Sequence, residues 1–83
     1  MTIEVRYFAG ARAASGVAQE SVLVPAGATI QDVLVTLGTR HGDGLSRVLT
    51  ASSFLLDGIA VRDRSVSLTN GVELDVLPPF AGG

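Results

Sequence analysis

From Thr2 to Phe8 the chain alternates apolar Ile3, Val5 and Tyr7 with charged Glu4 and Arg6, the period-two pattern of a strand with one face in a core and one in water. The alternation breaks over Ala9 to Gly16, a run of small residues whose only charge is Arg12. It reads as a connection with room for one helical turn. Between Glu20 and Val24, Val22 and Val24 again share a face, and Pro25-Ala26-Gly27 closes the segment. The two stretches predict an antiparallel hairpin with a long loop.

The period then changes. Thr29 precedes Ile30, Val33, Leu34 and Leu37, a helix-spaced apolar stripe behind a capping threonine, with Asp32 placed to complete a capping box. Arg40 and His41 fall in the last turn, where a cation suits the helix dipole, and Gly42 is placed for a left-handed cap. His41 is accordingly expected to be solvated and without catalytic duty. Leu45, Val48 and Leu49 predict a short second helical stretch, limited by Gly44 and Ser46.

Alternation resumes at Phe54-Leu55-Leu56 and Ile59-Ala60-Val61 around Asp57-Gly58, a dipeptide that tolerates the positive φ values of a type I′ hairpin turn. Val66 to Leu68 is a brief apolar piece and Asn70-Gly71 a further turn signal. Val72, Leu74 and Val76 alternate with Glu73 and Asp75 in a last strand that runs into Pro78-Pro79. The order strand, strand, helix, two short strands, strand predicts an α+β roll of ubiquitin-like type, a mixed sheet of about five strands with one main helix on one face. Ile3, Val5, Val22, Val24, Leu74 and Val76 are the expected partners of the helical stripe, with Val5 and Val76 on neighbouring parallel strands. Residues 1–77 are read as one domain and residues 78–83 as an extended tail.

Composition narrows the chemistry. With 83 residues, 47% of them hydrophobic, the chain has material for one compact core. No cysteine and a single histidine leave no thiolate nucleophile and no histidine or cysteine metal cluster. A net charge of −2 with scattered arginines argues against nucleic acid as a partner. No apolar run is long enough to span a membrane and the first residues lack a signal-peptide pattern, so the expected location is the cytoplasm. The paired carboxylates Asp57 with Asp63 and Glu73 with Asp75 sit at turns or on a strand face expected to be exposed, and are read as solvated. No Ser-His-Asp set or phosphate loop is present. The body is therefore a recognition surface.

What remains is the tail, Pro78-Pro79-Phe80-Ala81-Gly82-Gly83. Pro78 and Pro79 fix φ and lack backbone donors, so they stop a strand and send the chain outward stiffly. Six extended residues reach roughly 20 Å, enough to thread a cleft. Gly82 and Gly83 clear all side chains from beside the terminal carboxylate. That group is a poor electrophile until something activates it.

Val5-Arg6-Tyr7-Phe8-Ala9 with Arg12 and Gly16, then Val72 to Pro79 and the terminal Gly82-Gly83, resemble the small subunits of molybdopterin synthase, the MoaD family. The resemblance covers the whole chain. It implies a β-grasp fold and a C-terminal glycine, here Gly83, that an adenylyltransferase related to ubiquitin-activating enzymes adenylates with ATP. A sulfur-delivering enzyme then supplies the thiocarboxylate. The tail, Pro78 to Gly82, would enter the large synthase subunit and give sulfur to cyclic pyranopterin monophosphate in a heterotetramer, with no cofactor bound to the small subunit itself. Phe8 and Arg12 match family positions that face partners. Leu77, also assigned to the interface, stands where an aromatic is frequent, and Phe80 is bulkier than the usual residue. The chemistry fits: an acyl adenylate is an electrophile with a good leaving group, and glycine admits it to an enzyme. Two other functions remain open, a sulfur carrier for thiamine thiazole or another pathway on the same fold, and a non-reactive ubiquitin-like interaction module.

Overall fold

The structure is a computed structural model and describes residues 1–79. In chain order its elements are β1 (Thr2–Tyr7), α1 (Ala9–Ser15), β2 (Gln19–Leu23), α2 (Ile30–His41), α3 (Asp43–Ala51), β3 (Ser53–Leu56), β4 (Ile59–Ala60) and β5 (Glu73–Leu77). The strands form a five-stranded sheet in the order β2-β1-β5-β3-β4. Among the described residues only the central β1–β5 pair is parallel, with Val5 opposite Leu74 and Tyr7 opposite Val76, so the expected central parallel pair is present. β1–β2, β3–β5 and β3–β4 are antiparallel.

The alternation in the sequence becomes the two faces of this sheet. Ile3, Val5, Val22, Leu74 and Val76 are 0% exposed, as are Val33 and Leu37 of α2 and Leu45 of α3. They belong to a single apolar cluster between sheet and helices. At ~1.5–3 kcal/mol for each fully buried aliphatic side chain, this cluster is the main favourable term in so small a domain.

Local chemistry sets the element ends. Thr29 Oγ1 accepts from Asp32 N–H at 3.2 Å while Asp32 Oδ2 accepts from Thr29 N–H at 2.9 Å, completing the capping box of α2. Asp57 (φ 47°) and Gly58 (φ 83°) make the tight turn of the β3–β4 hairpin, in the left-handed region that the dipeptide allows. The Val66 to Leu68 piece makes one antiparallel bridge, Thr29 to Ser67, and turns Leu68 into the core.

Three expectations are corrected. The Ala9 to Gly16 connection holds a helix of 7 residues rather than one turn, closed by Gly16 in the left-handed conformation; its Ala11 is buried, and small side chains let it lie close to the sheet end. The second helical stretch runs 9 residues, Asp43–Ala51, because burial of Leu45 and Leu49 outweighs the weak propensity of Gly44 and Ser46. Gly42 ends α2 at φ 95°, ψ −174° rather than in the left-handed helical region. That conformation is essentially restricted to glycine, and it lets α3 begin at once and fold back on α2. Gly38 serves the same contact, since a Cβ there would collide with Ser46 Oγ of α3.

Candidate functional site

The tail leaves from the middle of the sheet. β5 lies between β1 and β3, and because β1 and β5 are parallel, their C-terminal ends lie side by side. Phe8 N–H donates to Val76 O at 3.0 Å, which sets Phe8 next to Leu77, and Ser53 of β3 lies opposite Leu77 on its other side. Pro78 and Pro79 follow, both exposed. Phe8 also starts α1, and Arg12 N–H reaches back to Phe8 O at 3.4 Å. Thus the fold gathers Phe8 (37% exposed), exposed Arg12 and half-buried Leu77 around the root of the tail. Phe80, Ala81, Gly82 and Gly83, on which the expected acyl chemistry falls, lie outside the described residues.

Below this rim, on the sheet face away from the helices, Arg6 sits opposite Asp75 in the parallel register. Its Nε and Nη2 donate to the two carboxylate oxygens at 2.8 and 2.9 Å, and Glu73 is 3.2 Å away. The same guanidinium stands 5.6 Å from the Phe8 ring centroid, within cation–π range. The hydrogen bonds to Asp75 raise the Arg6 pKa; partial desolvation opposes them, and the charges of Asp75 and Glu73 add to the rise. Asp75 corrects the expectation of a solvated pair: it is 5% exposed and held by Arg6. Glu73 keeps its access to water. Asp57 and Asp63 are at exposed turns as expected, Asp57 accepting from Glu73 N–H and Asp63 from Ser65. The Ser65 hydrogen bonds hold the Asp63 carboxyl below its ordinary value.

A second polar cluster lies at the C-terminal end of α2. Glu20 of β2 accepts from the Tyr7 hydroxyl and from His41 Nε2 on one oxygen, and from Arg40 at 2.8 Å on the other. His41 packs edge-on to the Tyr7 ring at 5.9 Å, and its side chain is only 15% exposed. The expectation of a solvated His41 is therefore wrong: the end of α2 lies over the β1–β2 hairpin, and the histidine has a carboxylate to bind. Burial pushes the Glu20 carboxyl up, but the hydrogen bonds from Tyr7, Arg40 and His41 outweigh it and hold the group below its ordinary value. Burial, then the bond to Glu20, raise the Tyr7 phenol above its usual range. This cluster ties strands to helix.

Sequence reasoning found the residues at the tail root but missed the Arg6–Asp75 pair and the Glu20 cluster. The first was readable in principle, because parallel pairing of two alternating strands sets their interrupting charges opposite each other. The second depends on where the end of α2 lands, which periodicity does not encode. Among the described residues no group of three or more His, Cys, Asp or Glu side chains is placed to hold a metal, and no helix is long and apolar enough to cross a membrane.

Comparison with known proteins places the whole chain in a family. The ThiS family model matches residues 5–83. The molybdopterin synthase sulfur carrier subunit of Chlamydomonas reinhardtii is 32% identical over 84 residues, spanning 100% of this chain and 100% of its own length. SAMP1 from Haloferax volcanii superposes with a TM-score of 0.84 at 28% identity, with 100% of both chains covered. In the complex of subunits 1 and 2 of molybdopterin-converting factor from Helicobacter pylori, the matching chain gives a TM-score of 0.72 at 20% identity, again with 100% of both chains covered. That last likeness is one of fold.

Proposed function

This chain belongs to the ThiS/MoaD family of ubiquitin-like sulfur carriers, and from that premise we propose that it is the sulfur-carrying small subunit of a molybdopterin synthase. The observation that carries the reading is the end-to-end match to a molybdopterin synthase sulfur carrier subunit, which includes the glycine terminus. In this reading Gly83 is the reacting residue. Its carboxylate attacks the α-phosphate of ATP in a partner adenylyltransferase, releasing pyrophosphate and leaving an acyl adenylate. Sulfide-level sulfur, delivered by a donor enzyme, then attacks the acyl carbon and displaces AMP, leaving a thiocarboxylate.

The large synthase subunit receives the tail, and the thiocarboxylate sulfur passes to cyclic pyranopterin monophosphate. Two such transfers complete the dithiolene, and in each, once the sulfur is bonded to the pterin precursor, water cleaves the acyl–sulfur bond and returns a plain carboxylate at Gly83. The chain supplies no acid, base or metal to these steps; it supplies a positioned acyl group. Pro78 and Pro79 hold the exit direction and limit the entropy lost on insertion. Gly82 leaves the cleft free of side chains. Phe8, Arg12 and Leu77, around the tail root, form the rim that meets the partner. The carrier operates in the cytoplasm, where ATP and the partner enzymes are available.

Intact mass spectrometry tests the first half of this reading. After incubation with the adenylyltransferase, ATP and a sulfur source, the chain should gain the mass difference of sulfur for oxygen, and a chain lacking Gly83 should not. An unchanged mass for the full chain under conditions that thiocarboxylate a known carrier would overturn it.

A further inference from the structure

Asn70 and Gly71 form the turn that leads into β5, and Asn70 is the only asparagine in the sequence. Both are exposed, and Gly71 takes φ 84°. An asparagine followed by glycine is the pairing most open to deamidation, because no Cβ hinders the glycine nitrogen when it attacks the side-chain amide. In this fold one residue opposes that attack. Thr2 N–H donates to Asn70 Oδ1 at 2.7 Å, and Gly71 N–H donates to Thr2 O at 2.8 Å. We infer that Asn70 is a latent modification site, a deamidation centre that these two hydrogen bonds hold closed and that opens when residues 69–72 part from the start of β1. The site is independent of the sulfur-carrier reading.

The reaction needs water alone. Hydroxide removes the Gly71 amide proton, the nitrogen bonds to Asn70 Cγ, and the bond from Cγ to the side-chain nitrogen breaks. That nitrogen leaves as ammonia, taking its third hydrogen from water, and a cyclic succinimide remains. Water then adds to one of the two ring carbonyls and opens the ring. Breaking the bond from Cγ to the Gly71 nitrogen gives aspartate; breaking the bond from the backbone carbonyl carbon gives isoaspartate. Nothing is oxidised or reduced, and each product has O where the parent has NH. Isoaspartate also routes the main chain through the side chain, lengthening it by a methylene.

Both reacting groups of the first step are held. The proton that hydroxide must take is the one directed at Thr2 O, so it is released only when that hydrogen bond opens. Ring closure also needs Cγ to swing onto the Gly71 nitrogen, and Thr2 N–H holds Asn70 Oδ1 instead. Thr2 is itself fixed from its other side, since Val24 N–H donates to Met1 O at 2.9 Å and Ile3 pairs with Val22 of β2. The turn is anchored at both ends. Leu68 before it is 5% exposed, with its N–H donating to Ala28 O at 2.9 Å, and Val72 after it packs against the core. Opening therefore separates the start of β1 from the entry to β5, at the end of the sheet away from the tail. A deamidated chain is one that has opened there, and the change is permanent.

Intact mass and peptide mapping of the full chain, followed with time in mildly alkaline buffer, test the site. The peptide holding Asn70 should gain the mass difference of O for NH and yield isoaspartate, ~10-fold or more slowly in the folded parent than in the same chain unfolded by urea. Thr2→Pro removes the N–H that holds Asn70 and keeps the carbonyl. Folded, it should deamidate ~3-fold or more faster than the parent, the worth of about one hydrogen bond. Hydrogen exchange in the parent separates local from global opening: the slowing of deamidation should match the protection of the Gly71 amide and stay below that of the Leu37 amide within α2. Where thermal melts show Thr2→Pro unfolded, the exchange comparison decides alone. A smaller difference between folded and unfolded parent, a folded Thr2→Pro variant no faster than the parent, or slowing that matches Leu37 rather than Gly71 would each overturn the proposal.

Discussion

Arg6 grips Asp75 across the parallel β1–β5 pair at the centre of the sheet, with Nε and Nη2 at 2.8 and 2.9 Å from the two carboxylate oxygens. The bond joins the strand that begins the chain to the strand that ends in the tail. Asp75 is 5% exposed, with Arg6 of β1 on one side and Leu55 of β3 opposite it on the other. Arg6→Ala should therefore cost more stability than the double variant Arg6→Ala/Asp75→Ala, because the single change leaves a nearly buried carboxylate without its charged partner. Urea midpoints of the parent, the two single variants and the double variant measure the coupling. Additive effects would show that the pair is dispensable.

Stability should fall in acid partly through Glu20. Its folded-state pKa lies below the ordinary value of 4.5, so the charged form is favoured in the native state. The contribution is present above the unfolded value and is lost as pH falls through the folded one. In the Glu20→Gln variant the urea midpoint should be lower at neutral pH and should decline less between about pH 5 and pH 3. Tyr7→Phe, which removes one of the three donors, should cost ~1 kcal/mol at neutral pH. Parallel pH profiles of parent and Glu20→Gln would contradict this account.

Leu37→Ala should cost ~2–5 kcal/mol, a large part of the stability of so small a domain. Leu37 is 0% exposed beneath α2. Leu34, 6% exposed on the same helix, should lose less in the same substitution because its site opens toward solvent. Equilibrium urea unfolding of both variants gives the ranking.

Pro78→Gly/Pro79→Gly should leave the melting temperature of the body nearly unchanged, since both prolines are exposed and follow β5. The same variant should transfer sulfur more slowly, because a flexible tail loses more entropy on entering the large subunit. Single-turnover rates from thiocarboxylated parent and variant make the comparison. Equal rates would mean that the prolines do not direct the tail.

Much of the fold was legible because it is written in periods. The alternations at Ile3-Val5-Tyr7 and Leu74-Val76, the stripe on α2 and the Asp57-Gly58 turn each became the expected element. Of the candidate site the sequence offers the tail, Pro78-Pro79 and Gly82-Gly83, of which the two glycines lie outside the described residues. What could not be read was tertiary. α1 and α3 are held by packing that their glycines and serines obscure, and His41 took a partner from a strand about twenty residues away because the end of α2 lands on Glu20.

The most direct test of the central claim is the fate of the sulfur. Thiocarboxylated protein mixed with the large molybdopterin synthase subunit and cyclic pyranopterin monophosphate should yield molybdopterin, and mass spectrometry should find Gly83 returned to a plain carboxylate. A thiocarboxylate that persists with its own organism's large subunit, yet is consumed by a thiazole synthase, would contradict the assignment and make this chain a carrier for the thiazole pathway.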